Sequence, residues 1–164
     1  MNQETALPKR ENDTRNAADI LRGYAAKGFL FHASATGDLK RLEPRPGRDA
    51  NEKDVFSNDT AVFASPDLLF CMPFAFVDWK EAVFAGGMWE AASQGCKMPV
   101  SWRLHIENAA TGYVYVLPPD SFTLEEGPQR KSRDAVVPVD CVPVKFYDYQ
   151  SLGGEVEWLP DNPP

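Results

Sequence analysis

Apolar positions near the start of the chain follow the spacing of an amphipathic helix. They recur at intervals of three and four residues: Ala17, Ile20, Leu21 and Tyr24. Side chains at this spacing share one face of a helix. Asp13 or Thr14 can cap its first turn, and Gly28 stops it. Residues 1–12 are polar and show no periodicity, so we expect this segment to be disordered.

Two short apolar runs further along the chain predict buried strands. The first extends from Phe29 to His32, and the second is AVFAS at 61–65. The second run leads directly into a helix, with Ser65 as the predicted cap and Pro66 in the first turn. Pro73 ends or kinks that helix, because proline lacks the amide proton that a helix interior needs.

The pattern weakens in the middle of the chain and then alternates. Residues 38–42 predict one helical turn, and 74–95 predict helical pieces around a turn. The polar segment 43–60 predicts a binding loop or local disorder. The sequence SWRLHIEN at 101–108 alternates apolar and polar positions, which is typical of a half-buried strand. The four residues AATG then predict a hairpin connection to a second strand at 112–118.

The last stretches complete the prediction of fold class. Residues 135–147 are rich in β-branched side chains but contain two prolines, which predicts an edge strand or two short pieces. The end of the chain, 151–164, is expected to be turn-rich. Helix and strand come first, helices follow and strands come last, so we predict an α+β fold. The 164 residues, 43% of them hydrophobic, suffice for one domain at 13–155 with a tail at 156–164.

Charge and cysteine content restrict the classes of partner. The net charge of −7 argues against nucleic acid as a partner, because an acidic surface repels phosphate backbones. The three cysteines form no CxxC pair, so we expect reduced thiols and no metal site. The polar N-terminus resembles no leader, and no apolar run approaches the ~18 residues of a membrane span. These features predict a cytoplasmic protein without a membrane partner.

Common catalytic motifs are absent, which leaves three stretches of interest. The chain contains no P-loop, GxGxxG, HExxH or GxSxG, and its two histidines are His32 and His105. His105 is expected to be an ordinary residue of the surface or of a sheet face. In LFHAS, His32 at a strand end can direct an imidazole nitrogen at a ligand hydroxyl, or it can be a core histidine bonded to backbone. The other two stretches are VFAS and YVYVLPPDSFTLEE, which ends in an acidic loop.

These three stretches, in this order, resemble the ADP-ribosyltransferase fold. The likeness is nearest to the small bacterial proteins similar to rifampin ADP-ribosyltransferase, and it covers roughly residues 28–147. FHAS stands where that family has a strand ending in His-Gly-Thr or His-Gly-Ser. AVFASPDLL stands where a second strand feeds a helix. The resemblance implies two small antiparallel sheets that form a cleft with flanking helices.

The resemblance also implies an activity and a set of site residues. Such enzymes bind NAD as a substrate, cleave its nicotinamide glycosidic bond and transfer ADP-ribose to an acceptor, here an unknown small molecule or protein. By this analogy His32 holds a ribose hydroxyl, Phe63 packs on nicotinamide, and Glu125 or Glu126 stabilises the cationic transition state. The cofactor-contacting residues expected from the analogy and from the basic loop are His32, Ala33, Ser34, Arg45, Arg48, Phe63 and Ser65.

Departures from the family pattern leave other interpretations open. Ala33 stands where the family has glycine, and Phe63 keeps a ring but lacks the hydroxyl of the usual tyrosine. Asp120 lies in the same acidic loop as the two glutamates, and this loop can equally be a solvated surface. The alternative functions are a catalytically inactive member of the fold that binds a nucleotide or a protein, and an interaction protein built around the aromatic segment 74–89.

Overall fold

A computed structural model describes residues 16–46, 59–77, 90–93 and 95–160. The helices are α1 (Ala17–Ala26), α2 (Leu68–Cys71), α3 (Arg103–Asn108) and α4 (Phe146–Ser151). Short 3-10 turns occupy Met72–Ala75, Val100–Trp102 and Pro119–Ser121. The strands are β1 (Leu30–Ser34), β2 (Arg45–Pro46), β3 (Thr60–Ala64), β4 (Glu90–Ala91), β5 (Gly95–Pro99), β6 (Thr111–Leu117), β7 (Leu124–Glu126), β8 (Gln129–Ser132), β9 (Asp140–Lys145) and β10 (Glu155–Leu159).

The first sheet is antiparallel, has the order β1-β6-β9 and carries core on both faces. Phe31, Val114 and Val116 belong to the larger core cluster, which also contains residues of α1 and α4. The alternate residues Tyr115 and Leu117 belong to a second cluster on the opposite face. Both clusters exclude water, and each fully buried apolar side chain contributes roughly 1.5–3 kcal/mol. The second half of the central strand β6, from Val114 to Leu117, is therefore fully buried, whereas its first residue Thr111 is exposed.

The second sheet is also antiparallel, has the order β2-β3-β8-β7, and packs against one face of the first. A single bridge between Phe31 and Ser65 joins β1 to the end of β3, with N···O distances of 2.8 and 2.9 Å. Val62 and Ala64 turn toward the second core cluster. Described residues form a third sheet in the order β10-β5-β4, in which β10 and β5 run parallel. The α+β class is confirmed, but the third sheet was not expected.

The predicted strand at 101–108 is wrong, because these residues form a 3-10 turn and helix α3. Ile106 is buried and Trp102, four residues earlier, is half-buried, so both lie on one face of a helix. Leu104 breaks the proposed alternation, since 77% of it is exposed. The apolar residues Trp102, Leu104 and Ile106 fit the period of a strand, and two of them also fit the period of a helix. Packing of one helical face against the core decides for the helix. The AATG hairpin is wrong for the same reason.

The predicted helices begin at other caps than expected. Asn16 caps α1, where its side chain accepts from the amide of Asp19 at 2.9 Å, in place of Asp13 or Thr14. Asp67 caps α2 in place of Ser65, because the helix begins at Leu68 and the Asp67 carboxylate accepts from the amides of Leu69 and Phe70. Gly28 follows α1 with a φ of 87°, a conformation that favours glycine, as the predicted stop requires.

Other local predictions have mixed outcomes. Residues 38–42 form no helical turn, because Leu42 pairs with Val136 in a β-bridge. The edge strand predicted within 135–147 is confirmed as β9, in which Pro143 is exposed at the sheet edge. The expectation of a turn-rich end is wrong over β10, which pairs with β5. Most of the segment 74–95 and the whole of 1–12 lie outside the described residues.

Candidate functional site

His32 lies where β1 separates from β3. Its Nδ1 is 2.7 Å from the carbonyl oxygen of Phe63. The bridge between Phe31 and Ser65 is isolated, and continuing its register would place Ala33 opposite Phe63. The strands diverge before that pair forms, so the Phe63 carbonyl does not bind the Ala33 amide. The imidazole of His32 donates to this carbonyl instead. The histidine thus closes the junction between the first two sheets.

This contact fixes which nitrogen of the imidazole carries the proton. A carbonyl oxygen only accepts, so Nδ1 must donate, and Nε2 of the neutral ring keeps a lone pair. Burial lowers the pKa of His32 from its ordinary value of 6.5, and the bond to the Phe63 carbonyl opposes this in part. The ring is therefore neutral at pH 7. His32 is only half-buried, so its site combines a fixed ring with partial access from solvent.

Phe63 is half-buried and faces away from the second core cluster. Its neighbours Val62 and Ala64 belong to that cluster, whereas among the described residues neither core cluster includes Phe63. Side chains alternate along a strand, so the ring lies on the other face of the sheet. It lies directly opposite Lys131 of β8, which is only 5% exposed. The face that bears Phe63 is hereafter called the outer face of the second sheet.

The small residues beside His32 and Phe63 serve local structure. The Oγ of Ser34 accepts from the amide of Thr36 at 3.1 Å, and the Oγ of Ser65 accepts from the amide of Asp67 at 3.0 Å. Each hydroxyl keeps its own proton to donate. Ala33 packs against the larger core cluster, so its Cβ lies on the face of β1 opposite to His32.

The expected basic residues are only partly placed by the structure. Arg45 is exposed on β2, directly opposite Ala61 of β3. Ala61 and Phe63 are two residues apart on one strand, so Arg45 shares the outer face with Phe63. Arg48 lies outside the described residues.

Sheet order separates the two candidate glutamates from β3. Both are exposed on the edge strand β7, and β8 lies between β7 and β3. Two strand spacings amount to about 10 Å between the backbones of β3 and β7. Glu125 lies opposite Arg130 and in turn Ala64, and it forms an ion pair of 3.2 Å with the Arg130 Nε. Glu126 lies opposite Gln129, so it shares the outer face with Phe63.

Tyr115 is a structural residue of the site that the sequence did not reveal. Its hydroxyl donates to the carbonyl of Thr36 at 2.7 Å and accepts from the amide of Leu39 at 3.0 Å. These bonds anchor the loop after β1, in which Asp38 adopts a positive φ of 58°. The Tyr115 and His32 rings lie 6.3 Å apart. The apolar context of YVYVL gave no signal for this anchoring role.

An ion-pair cluster on the outer face was also missed. Asp59 Oδ2 lies 3.0 Å from the Nζ of Lys131 and 2.9 Å from an Nη of Arg133. These two cations lower the pKa of the Asp59 carboxyl below its ordinary value. Lys131 is buried in the middle of a strand, and no spacing in the sequence distinguishes it from a surface lysine.

A surface hollow of about 460 Å³ lies elsewhere in the molecule, between α1 and the start of α2. None of the predicted site residues lines this hollow. Its lining consists of Arg22, Ala25, Pro66, Asp67, Leu68, Leu69 and Leu152. Over the described ranges, no group of three histidine, cysteine or carboxylate side chains could hold a metal ion. The same part of the chain contains no helix that is long and apolar enough to cross a membrane.

Comparison with protein-family models, with curated proteins and with solved structures yields no match to this chain.

Proposed function

We propose that this protein is an ADP-ribosyltransferase-like protein that binds NAD at the junction of β1 and β3. The observation that carries the proposal is the fixed imidazole of His32. Its Nδ1 is bound to the Phe63 carbonyl, which leaves the lone pair of Nε2 to accept a hydroxyl proton. A ribose supplies such hydroxyls, and a ring already held in place loses little freedom when it binds one.

Phe63, whose carbonyl binds His32, supports a ligand with a flat ring, and such a ligand would have to reach from the His32 face, which also carries Tyr115, to the outer face. Phe63 is half-buried and belongs to neither of the described core clusters, so burial in the core does not account for the placement of its ring. Stacking of aromatic rings contributes roughly 0.5–1.5 kcal/mol beyond the area that it buries. Nicotinamide and adenine both meet this requirement. In this proposal the ribose hydroxyl of NAD binds His32 on β1, and a ring of NAD stacks on Phe63 of β3.

Of the acids in the β7 loop, Glu126 is the better candidate for transfer chemistry. It shares the outer face with Phe63, whereas Glu125 faces the Ala64 side and pairs with Arg130. In this proposal Glu126 stabilises the cationic transition state and Glu125 has a structural role. The acceptor of ADP-ribose is a small molecule or a protein, and the reaction takes place in the cytoplasm, where we expect this protein.

A second candidate is a catalytically inactive member of the same fold that binds the nucleotide without transfer. The exposure of both glutamates favours it, since a carboxylate in water stabilises a developing charge far less than one in a dry site. The two candidates share the NAD site and differ only in chemistry.

Calorimetric titration with NAD, followed by an assay for nicotinamide release, tests both candidates. We expect saturable binding that His32→Ala weakens at least about tenfold, equivalent to ~1.4 kcal/mol. His105→Ala is the matched control, because the exposed His105 lies on α3 and the chain has only these two histidines. Nicotinamide release that Glu126→Gln abolishes would support transfer. Binding without release would support the inactive candidate, and the absence of any NAD binding would refute both.

A further inference from the structure

Strand β10 forms one edge of the third sheet. It pairs with β5 on one side, and no strand or bridge of the described residues pairs with its other side. In a parallel ladder the amides and carbonyls of alternate residues point to opposite sides of a strand, so about half of the backbone groups of Glu155–Leu159 point away from β5. Such an edge can accept a further strand whose side chains fit.

The two faces of β10 differ in chemistry. Val156 and Trp158 pack against the larger core cluster but are only half-buried. Glu155 and Glu157 alternate with them and are exposed. Because side chains alternate along a strand, the two carboxylates lie together on the solvent face of this sheet. A strand added at this edge would extend the apolar face with one set of its side chains and meet the carboxylates with the other.

The ring of Trp158 is fixed in place on the apolar face. Its centroid lies 6.3 Å from that of Phe146 on α4, and the guanidinium carbon of Arg103 on α3 lies 5.4 Å from the centroid of the same ring. Arg103 also forms an ion pair of 3.2 Å with Glu107, so its charge is already paired. A side chain that packs on this half-buried indole need not order it first. Tryptophan is also among the residues that contribute most to the affinity of protein interfaces.

The charges on β10 disfavour a second copy of this chain as the added strand. Antiparallel pairing of two β10 strands about Glu157 would set this carboxylate opposite its own counterpart. A register centred on Val156 would set Glu155 opposite Glu157, and like charges directly opposite one another are destabilising. Within its own sheet Glu157 lies opposite Lys97, a basic residue. The same carboxylates thus oppose self-association and favour a basic strand.

We propose that the edge of β10 opposite to β5 binds an extended segment of a partner protein, in which lysine or arginine alternates with apolar residues. Its basic side chains pair with Glu155 and Glu157, its apolar side chains cover Val156 and Trp158, and its backbone continues the ladder of the third sheet. The net charge of −7 favours the approach of such a segment. This surface lies on other elements than the NAD site of the proposed function and does not depend on it.

Titration with synthetic peptides tests this surface. The probe is an acetylated peptide of about eight residues that alternates lysine and valine, and its counterpart has glutamate in place of lysine. We expect saturable binding of the lysine peptide, and at least about tenfold weaker binding to a protein that carries Glu155→Lys and Glu157→Lys together. This double variant should bind the glutamate peptide instead. Glu90→Lys changes an exposed acid on β4, at the other end of the same sheet, and as the control should change the affinity less than about twofold.

Methylation of the peptide backbone separates strand addition from attraction between charges alone. The amides of alternate residues point to the same side of an extended peptide, so methyl groups on all lysine amides block one side and methyl groups on all valine amides block the other. We expect one of these two peptides to lose binding and the other to keep it. Equal affinities of the two methylated peptides would overturn strand addition.

Three further results would overturn the proposal. The first is the absence of binding of the lysine peptide to the unaltered protein. The second is an unchanged affinity for this peptide in the double variant, because the carboxylates would then not select the partner. The third is a dimer of the protein alone, detected by sedimentation, that the lysine peptide dissociates, because this edge would then belong to a second copy.

Discussion

The two faces of β3 differ in what they contact, although they alternate along one strand. Val62 and Ala64 face a core cluster that contains Tyr115 and Leu117, both without measurable exposure. Phe63 faces the other way, opposite the buried Lys131. Asp59 pairs with Lys131 and with Arg133, and Arg45 lies opposite Ala61. One face can be explained by hydrophobic burial alone. The outer face instead carries charged side chains and an aromatic ring, which hydrophobic burial does not explain. Such a combination is typical of a binding surface.

The largest effect is expected on the core face. Leu117→Ala removes a fully buried side chain and is expected to lower the free energy of unfolding by about 2–5 kcal/mol. Urea denaturation followed by tryptophan fluorescence measures it. Phe63→Ala is the matched change on the outer face, and we expect it to cost less stability and to weaken NAD binding. If Phe63→Ala destabilised the protein as much as Leu117→Ala without changing NAD affinity, the two faces would not differ as described.

The next effect concerns the anchored loop after β1. Tyr115→Phe removes a buried hydroxyl that makes two hydrogen bonds, and it leaves the Thr36 carbonyl and the Leu39 amide without this partner. The expected loss is about 1–3 kcal/mol in the free energy of unfolding, measured by the same denaturation. Tyr113→Phe on the same strand is the control, because no described contact involves its hydroxyl. Equal losses in both variants would show that the Tyr115 hydroxyl does not anchor the loop.

A smaller effect is expected in the pH dependence of stability. The folded state holds His32 with a pKa below 6.5, so below that pH the unfolded state binds a proton that the folded state does not. The contribution of His32 is therefore present above pH 6.5 and is lost as the pH falls from there through the folded pKa. His32→Gln should reduce the loss of stability between about pH 7.5 and about pH 5.5. An identical loss in the variant and in the unaltered protein would contradict a depressed pKa for His32.

The smallest effect is expected at the exposed edge strand β7. Glu125→Gln breaks the ion pair with Arg130, and because Glu125 is 69% exposed the change should be under about 1 kcal/mol in the free energy of unfolding. Any nicotinamide release should survive this change and decrease strongly in Glu126→Gln. The reverse order of activities would mean that the carboxylate on the Ala64 side performs the chemistry.

The sequence predicted those parts of the fold in which the local pattern of apolar residues is compatible with only one type of secondary structure. Helix α1, strands β1, β3 and β6, and the edge position of β9 follow from periodicity and from proline placement. The pattern at 101–108 has two solutions, and contacts far along the chain choose the helix. Strand β10 escaped prediction because its partner β5 is 60 residues away in sequence, Glu155 lying opposite Gly95.

The site was predictable to the extent that one residue type was unusual in its position. His32 is unusual because it ends an apolar run, and the structure places it at the junction of the first and second sheets. The cluster of Asp59, Lys131 and Arg133 gave no such signal, because the carboxylate lies 74 residues before Arg133 in the sequence and each member is an ordinary surface residue type. Sheet register also decides which of two adjacent glutamates shares a face with Phe63, and register depends on tertiary pairing.

The central claim is that His32 presents the lone pair of Nε2 to a ribose of NAD. Nitrogen-15 NMR of the imidazole rings tests it directly, because the chain has two histidines and His105→Gln assigns the signals. The account predicts that free His32 carries its proton on Nδ1, and that saturation with NAD shifts the Nε2 resonance while Nδ1 stays protonated. A His32 protonated on Nε2, or an Nε2 resonance that NAD leaves unchanged, would contradict it.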